Sequence, residues 1–68
     1  MIETIGQRLK NERIAHGYSQ DYVAKKIDID QKTYSNYERD ICTPKIVPMI
    51  KLADLYGVTL NYLAGLET

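Results

Sequence analysis

Three of the four glycines, Gly17, Gly57 and Gly65, fall directly after runs whose apolar residues recur three and four positions apart. That spacing lines one face of an α-helix. A glycine just past the last turn supplies the left-handed residue on which helices commonly end. The chain is therefore punctuated as a series of short helices. Nowhere do Val, Ile or Thr alternate with polar residues long enough to make a strand. The expected class is all-α, with five helices.

In the first run Ile2, Ile5, Leu9 and, less strictly, Arg13 share a face, and Gly17 closes it. Ser19 is a good N-cap for a second helix over Gln20 to Ile27, with Val23, Ala24 and Ile27 facing inward. Asp28 and Ile29 make a very short connection, and Asp30 caps a third helix over Gln31 to Arg39. Tyr34, Tyr37 and Glu38 lie on one face of that helix, and Lys32, Ser35, Asn36 and Arg39 on the other. Asp40 to Lys45 reads as a loop. Pro48 then falls in the first turn of a fourth helix, where its missing N–H costs nothing. Met49, Leu52, Ala53 and Tyr56 form the inner stripe, and Gly57 ends it. Thr59 caps a last short turn carrying Leu60 and Leu63, closed by Gly65.

The 68 residues are enough for one domain, residues 1–68. A domain this small buries only about 60% of the surface its unfolded chain exposes, so oligomerisation would help it. Cys42 is the one cysteine, so no internal disulfide forms, and a lone thiol fits a reducing cytoplasm. Cys42 and His16 are the only soft ligands, which argues against a zinc site, and no other metal or cofactor is expected. There is no signal-peptide h-region and no run of about 18 apolar residues, so no membrane span is expected.

Net charge is zero, from nine basic and nine acidic side chains. That weighs mildly against nucleic acid, whose phosphates favour basic partners. The distribution softens the objection. Residues 1–51 hold all nine basic groups and seven acidic ones, while Asp54 and Glu67 follow.

The most informative stretch runs from Ser19 to Arg39. Two short helices joined by a tight turn meet at a steep angle, so that the second projects into a DNA major groove while the first crosses the backbone. Such a unit needs a small residue at the crossing, which Ala24 supplies. It needs apolar inner faces, which Val23, Ile27, Tyr34 and Tyr37 supply. It also needs hydrogen-bonding groups on the outer face of the second helix, and Gln31, Lys32, Ser35, Asn36 and Arg39 fit. Arg39 and Lys45, which follows in the loop, are phosphate candidates. Lys25 and Lys26 read equally well as phosphate contacts or as a solvated helix end.

The run from Gly17 to Arg39 resembles the phage repressor/Cro, or XRE, family of helix-turn-helix regulators. The run from Lys51 to Leu63 resembles that family's fourth and fifth helices, so the likeness covers roughly Ile5 to Leu66. It implies a five-helix, lambda-repressor-like DNA-binding domain. It implies that Gln20 contacts a phosphate and braces the recognition helix, an amide being able to donate and accept together. It implies that Gln31, Lys32 and Asn36 read base edges, Gln and Asn pairing with adenine and Lys with guanine. Ser35 matches a position that touches a phosphate or a thymine methyl. Arg13 and Glu38 match a largely buried ion pair whose role is to fix orientation. Two residues depart from the family pattern. Asp28 and Asp40 stand where glycine is common, each at a cost of about 1 kcal/mol of backbone strain. Both add negative charge near the expected DNA face.

Blander readings apply elsewhere. Tyr34 and Tyr37, at inward spacing, read as core rather than as base-stacking rings. His16 reads as a charge complementing the dipole of the first helix rather than as a pH switch. Cys42 reads as an incidental loop thiol. Nothing supports enzymatic chemistry, since no nucleophile–base pair or paired carboxylates occur.

The expected function is sequence-specific binding of double-stranded DNA by a transcriptional regulator, a repressor acting as a homodimer on a roughly palindromic operator. Two-fold pairing places two recognition helices about 34 Å apart on one DNA face. Leu55, Leu60, Tyr62 and Leu66 are the expected dimer interface, being more apolar surface than a small core needs. No sensing or catalytic domain is expected within these 68 residues. The resemblance fits a stand-alone Cro-like regulator, a restriction–modification controller or the N-terminal domain of a longer repressor. The rival reading keeps the fold but binds protein, as an antitoxin-like or anti-repressor partner, and the zero net charge favours it.

Overall fold

A computed structural model describes residues 3–66. Among them lie five helices and no strand: α1 (Ile5–Ala15), α2 (Gln20–Lys26), α3 (Gln31–Glu38), α4 (Ile46–Tyr56) and α5 (Leu60–Leu63). Ile2, expected on the inner face of the first helix, lies outside the described residues.

Four of the five N-termini are closed by a side chain one residue ahead of the helix. Thr4, Ser19, Asp30 and Thr59 each accept a hydrogen bond from a backbone N–H in the first turn. Thr4 does more, because Gln7 reaches back to its N–H and completes a reciprocal box. α4 has no side-chain cap. Pro48 in its first turn leaves one N–H fewer to satisfy.

The five C-termini share one solution. A left-handed residue follows each helix, and the next N–H bonds a carbonyl five residues back: Tyr18 to Arg13, Ile29 to Ala24, Ile41 to Asn36, Val58 to Ala53 and Leu66 to Asn61. Gly17, Gly57 and Gly65 occupy three of these positions at φ +71°, +69° and +80°. Asp28 and Asp40 occupy the other two at φ +63° and +59°. α2 and α3 each end one residue short of the sequence expectation, because Ile27 and Arg39 have left helical geometry to start these turns.

The core is continuous: Leu9 from α1, Val23 and Ala24 from α2, Ile27 after it, Tyr34 and Tyr37 from α3, Met49, Leu52, Ala53 and Tyr56 from α4, and Leu63 from α5. These are the positions that the helical spacing pointed inward. Leu55, Leu60 and Tyr62 are half-buried and pack against the same core. Part of each side chain thus covers the core and part remains at the surface. Leu66 does stand out, at 75% exposed. The larger exposed apolar surface was not anticipated. It lies on α4, where Ile46, Val47 and Ile50 are 62%, 57% and 51% exposed.

Candidate nucleic-acid interface

α2 and α3 pack against each other, and Val23, Ala24, Tyr34 and Tyr37 on them are all buried. Ala24, with a single methyl group, lets the two short helices approach. The Asp28 turn reverses the chain between them within four residues, Ile27 to Asp30.

The far end of α3 is fastened by its one buried carboxylate. Arg13 Nε donates to Glu38 Oε2 at 2.7 Å, and Arg13 Nη2 donates to Oε1 at 3.2 Å. Gln20 Nε2 also donates to Oε1, at 3.0 Å. A remaining Arg13 proton goes to the Tyr18 carbonyl at 3.1 Å. One carboxylate therefore ties α1, α2 and α3 together. Burial by itself pushes the Glu38 carboxyl up, but hydrogen bonds from Arg13, Tyr34 and Gln20 outweigh it and hold the group below its usual value. Arg13 is raised in turn, chiefly by its hydrogen bond to Glu38.

Behind this clamp the Tyr34 and Tyr56 hydroxyls meet at 2.6 Å in the core, joining α3 to α4. Burial raises both phenols, Tyr56 to about 12. The pair stays protonated at neutral pH and satisfies two polar atoms that would otherwise be orphaned.

The opposite face of α3 is polar. Gln31, Lys32 and Arg39 are exposed, and Ser35 and Asn36 are half-buried. No ion pair engages Lys32 or Arg39 among the described residues. Lys45 is exposed at the uncapped start of α4. Gln20 lies at the first residue of α2, with one amide proton on Glu38 and a second left over. Lys25 and Lys26 are exposed but occupied within the fold, Lys25 with Asp21 at 3.1 Å and Lys26 over the Tyr22 ring.

The two turn aspartates differ. Asp28 is exposed, and its carboxylate bonds nothing among the described residues. Asp40 turns its carboxylate onto the start of α1, where Oδ1 accepts from the Gly6 N–H at 2.9 Å and Oδ2 from the Thr4 hydroxyl at 2.6 Å. Both aspartates are exposed, and the difference is that the Asp40 carboxylate is engaged by α1 whereas that of Asp28 is not.

Sequence reasoning missed Gly6. A Cβ there would lie 2.5 Å from the Glu38 carbonyl oxygen and 2.6 Å from that of Tyr37, so only glycine lets α1 approach the end of α3 this closely. The available signal was a glycine in the first turn of a helix, where no turn required it. It also missed Arg8, whose guanidinium lies over the Tyr62 ring at 4.7 Å and donates to the Tyr62 carbonyl, binding α1 to α5.

A shallow groove of about 350 Å³ runs between the start of α4 and α5. Ile5, Pro44, Ile46, Met49, Leu60 and Leu66 are among its walls, and no charged residue lines it among the described residues. Among the described residues no cluster of His, Cys, Asp or Glu is placed to hold a metal, and no helix is long and apolar enough to cross a membrane.

Comparison with known proteins agrees with this architecture. A helix-turn-helix family model matches residues 9–63. The HTH-type transcriptional regulator ImmR of Bacillus subtilis is 42% identical over 62 residues, 91% of this chain and 49% of ImmR. The chain spans about half the length of the curated relatives it matches. Among solved structures, the N-terminal DNA-binding domain of SinR from Bacillus subtilis is 33% identical, with a TM-score of 0.81 over 87% of each chain. The P22 c2 repressor, solved in complex with a synthetic operator, superposes with a TM-score of 0.90 over 96% of this chain and 98% of that one. At 18% identity that likeness speaks to the fold. The matched relatives are regulators, not enzymes, and this chain belongs to the XRE-type helix-turn-helix family.

Proposed function

We propose that the chain is a sequence-specific regulator of transcription, a repressor that binds double-stranded DNA as a homodimer on a roughly palindromic operator. The observation that carries the reading is the fastening of α3. Its inner face and its end are fixed by Tyr34, Tyr37 and the Arg13–Glu38–Gln20 clamp, while its outer face is left polar and accessible. A rigid helix with free amide and ammonium groups suits a major groove. Gln31, Lys32 and Asn36 are assigned to base edges, and Ser35 to a phosphate or a thymine methyl. Gln20, Arg39 and Lys45 are assigned to phosphates. SinR, one-third identical, has been solved in complex with DNA, which supports the same mode here.

The dimer rests on the groove between α4 and α5. Leu66 and Ile46 border it and are exposed, so a second copy related by a two-fold axis presents apolar side chains to an apolar recess on each side. Leu60 contributes a wall of that groove, whereas Leu55 and Tyr62 serve mainly as core cover.

Selection from a random duplex pool, followed by anisotropy titration at several salt concentrations, tests the reading. The wild-type chain should enrich one roughly palindromic site and lose affinity steeply as salt rises. Lys32→Ala and Asn36→Ala should weaken binding unequally across variants of that site, and Gln20→Ala more uniformly. No enriched sequence even at low salt would overturn the reading in favour of a protein-binding module.

A further inference from the structure

We infer that Asp40 is a positioning residue for the recognition helix, its carboxylate fixing where α3 ends against the start of α1. The inference rests on the DNA-binding reading above.

The backbone at Asp40 is left-handed, a conformation that glycine adopts at least cost. Backbone geometry alone therefore gives no reason for a carboxylate here. The side chain supplies one. α1 has no acidic residue in its first turn, although the free N–H groups and positive dipole end of a helix favour an anion there. Asp40 provides that anion from 34 residues away, through its bond to the Gly6 N–H. Its second oxygen takes the Thr4 hydroxyl proton, and Thr4 is itself the N-cap of α1. The same aspartate thus ends α3 and completes the start of α1.

The surroundings are arranged for this contact. Gly6 brings the α1 backbone against the Tyr37 and Glu38 carbonyls, at a spacing that no other residue permits. Thr4 donates to Asp40 while accepting from the Gln7 N–H, so capping of α1 and the link to α3 depend on one hydroxyl. Asn36 lies four residues before Asp40 and is assigned to a base edge. Its carbonyl accepts from Ile41, the residue after Asp40, within the same turn. A shift of the turn relative to α1 would therefore tilt the base-reading end of α3. The Arg13–Glu38 clamp limits translation of α3, and the Asp40 contact adds a second fixed point beyond it, which limits rotation about the clamp.

Asp40→Gly tests the role, because glycine keeps the left-handed turn without the carboxylate. The test compares wild type, Asp40→Gly, Asp40→Asn and Thr4→Val at a temperature where circular dichroism shows each fully folded. The probes are the duplex that the wild-type chain selects from a random pool and an unrelated duplex of equal length. Removing a negative charge without any positioning effect tightens binding to both duplexes. Loss of positioning instead weakens binding to the selected duplex, by about tenfold, and leaves the unrelated duplex equal or tighter. Asp40→Asn should recover part of the loss, since its amide oxygen can still accept from Gly6. Thr4→Val should show a smaller loss in the same direction. The Gly6 amide should exchange faster with solvent in Asp40→Gly, a readout independent of DNA. Tighter binding of Asp40→Gly to both duplexes, or unchanged Gly6 exchange, would overturn the inference. Failure of the wild-type chain to select any duplex would instead overturn the DNA-binding reading, and the exchange measurement would still report on the Asp40 contact.

Discussion

Asp28 and Asp40 bracket the recognition helix with nearly the same backbone, at φ +63° and +59°. Both close a helix by the same hydrogen-bonded turn. Their side chains have different fates. Asp28 points to solvent and bonds nothing among the described residues, so its turn carries the strain without compensation. Asp40 offsets the same strain with two hydrogen bonds to α1. Equal local geometry therefore does not imply equal energetic weight. What distinguishes the two turns is whether another element of the fold comes near enough to use the carboxylate. At the exit of α3 Gly6 brings α1 that close.

The largest effect that probes this contrast comes from the glycine. Gly6→Ala places a methyl group 2.5 Å from the Glu38 carbonyl oxygen, and main-chain atoms cannot swing aside as a side chain would. The variant should lose about 3 kcal/mol of stability, read from its urea midpoint. A loss below about 1 kcal/mol would mean that α1 and the exit turn are not pressed together, and the contrast would fail.

Acid titration comes next. The Glu38 carboxyl is held below its usual value in the folded chain, so its contribution is present above the ordinary carboxylate pKa. As pH falls from about 4.5 through the depressed folded value, the unfolded chain takes up the proton first and stability is lost. Glu38→Gln should lower stability at neutral pH and flatten this acid limb. The check is a series of denaturation midpoints between neutral and acid pH. An unchanged acid limb in Glu38→Gln would move the pH dependence to other carboxylates and weaken the account of the exit end as the fastened one.

The smallest effect sits at the entry. Asp28→Gly relieves left-handed strain and removes no bond, so it should raise stability by about 0.5 kcal/mol, the gain being partly offset by extra freedom in the unfolded chain. Thermal melting checks it. A clear loss of stability would show that the Asp28 carboxylate has a partner after all.

The origin of these differences separates what was legible in the chain from what was not. Helix count, N-caps at Ser19, Asp30 and Thr59, and left-handed turns at three glycines follow from signals within a few residues of one another. The buried stripe of Met49, Leu52, Ala53 and Tyr56 follows from helical periodicity. Asp28 and Asp40 stood out as departures from glycine, and both proved left-handed. The candidate interface was legible as a polar face on α3 because inner and outer positions of one helix sort by spacing. The burial of Leu55, Leu60 and Tyr62 was not, because it depends on how α4, α5 and α1 share a small interior. The exposed Ile46, Val47 and Ile50 ran against the rule that apolar residues go inside, and spacing could not reveal that Ile46 lines a groove.

The amino-acid sequence by itself determined the five helices, the ends of each to within a residue or so, and the stripe of each that is buried. Those properties arise from contacts within a turn or two, so short-range chemistry decides them. The Arg13–Glu38 pair came from the family resemblance and not from spacing, and the structure adds Gln20 as a second donor to the same carboxylate. Other polar pairings were decided only by the tertiary structure. The Tyr34 hydroxyl meets that of Tyr56 across 22 residues. Asp40 meets Thr4 and Gly6 across more than thirty. Such pairings depend on helix crossing angles and on a few ångströms of separation, and nothing in the spacing along a chain encodes those distances directly.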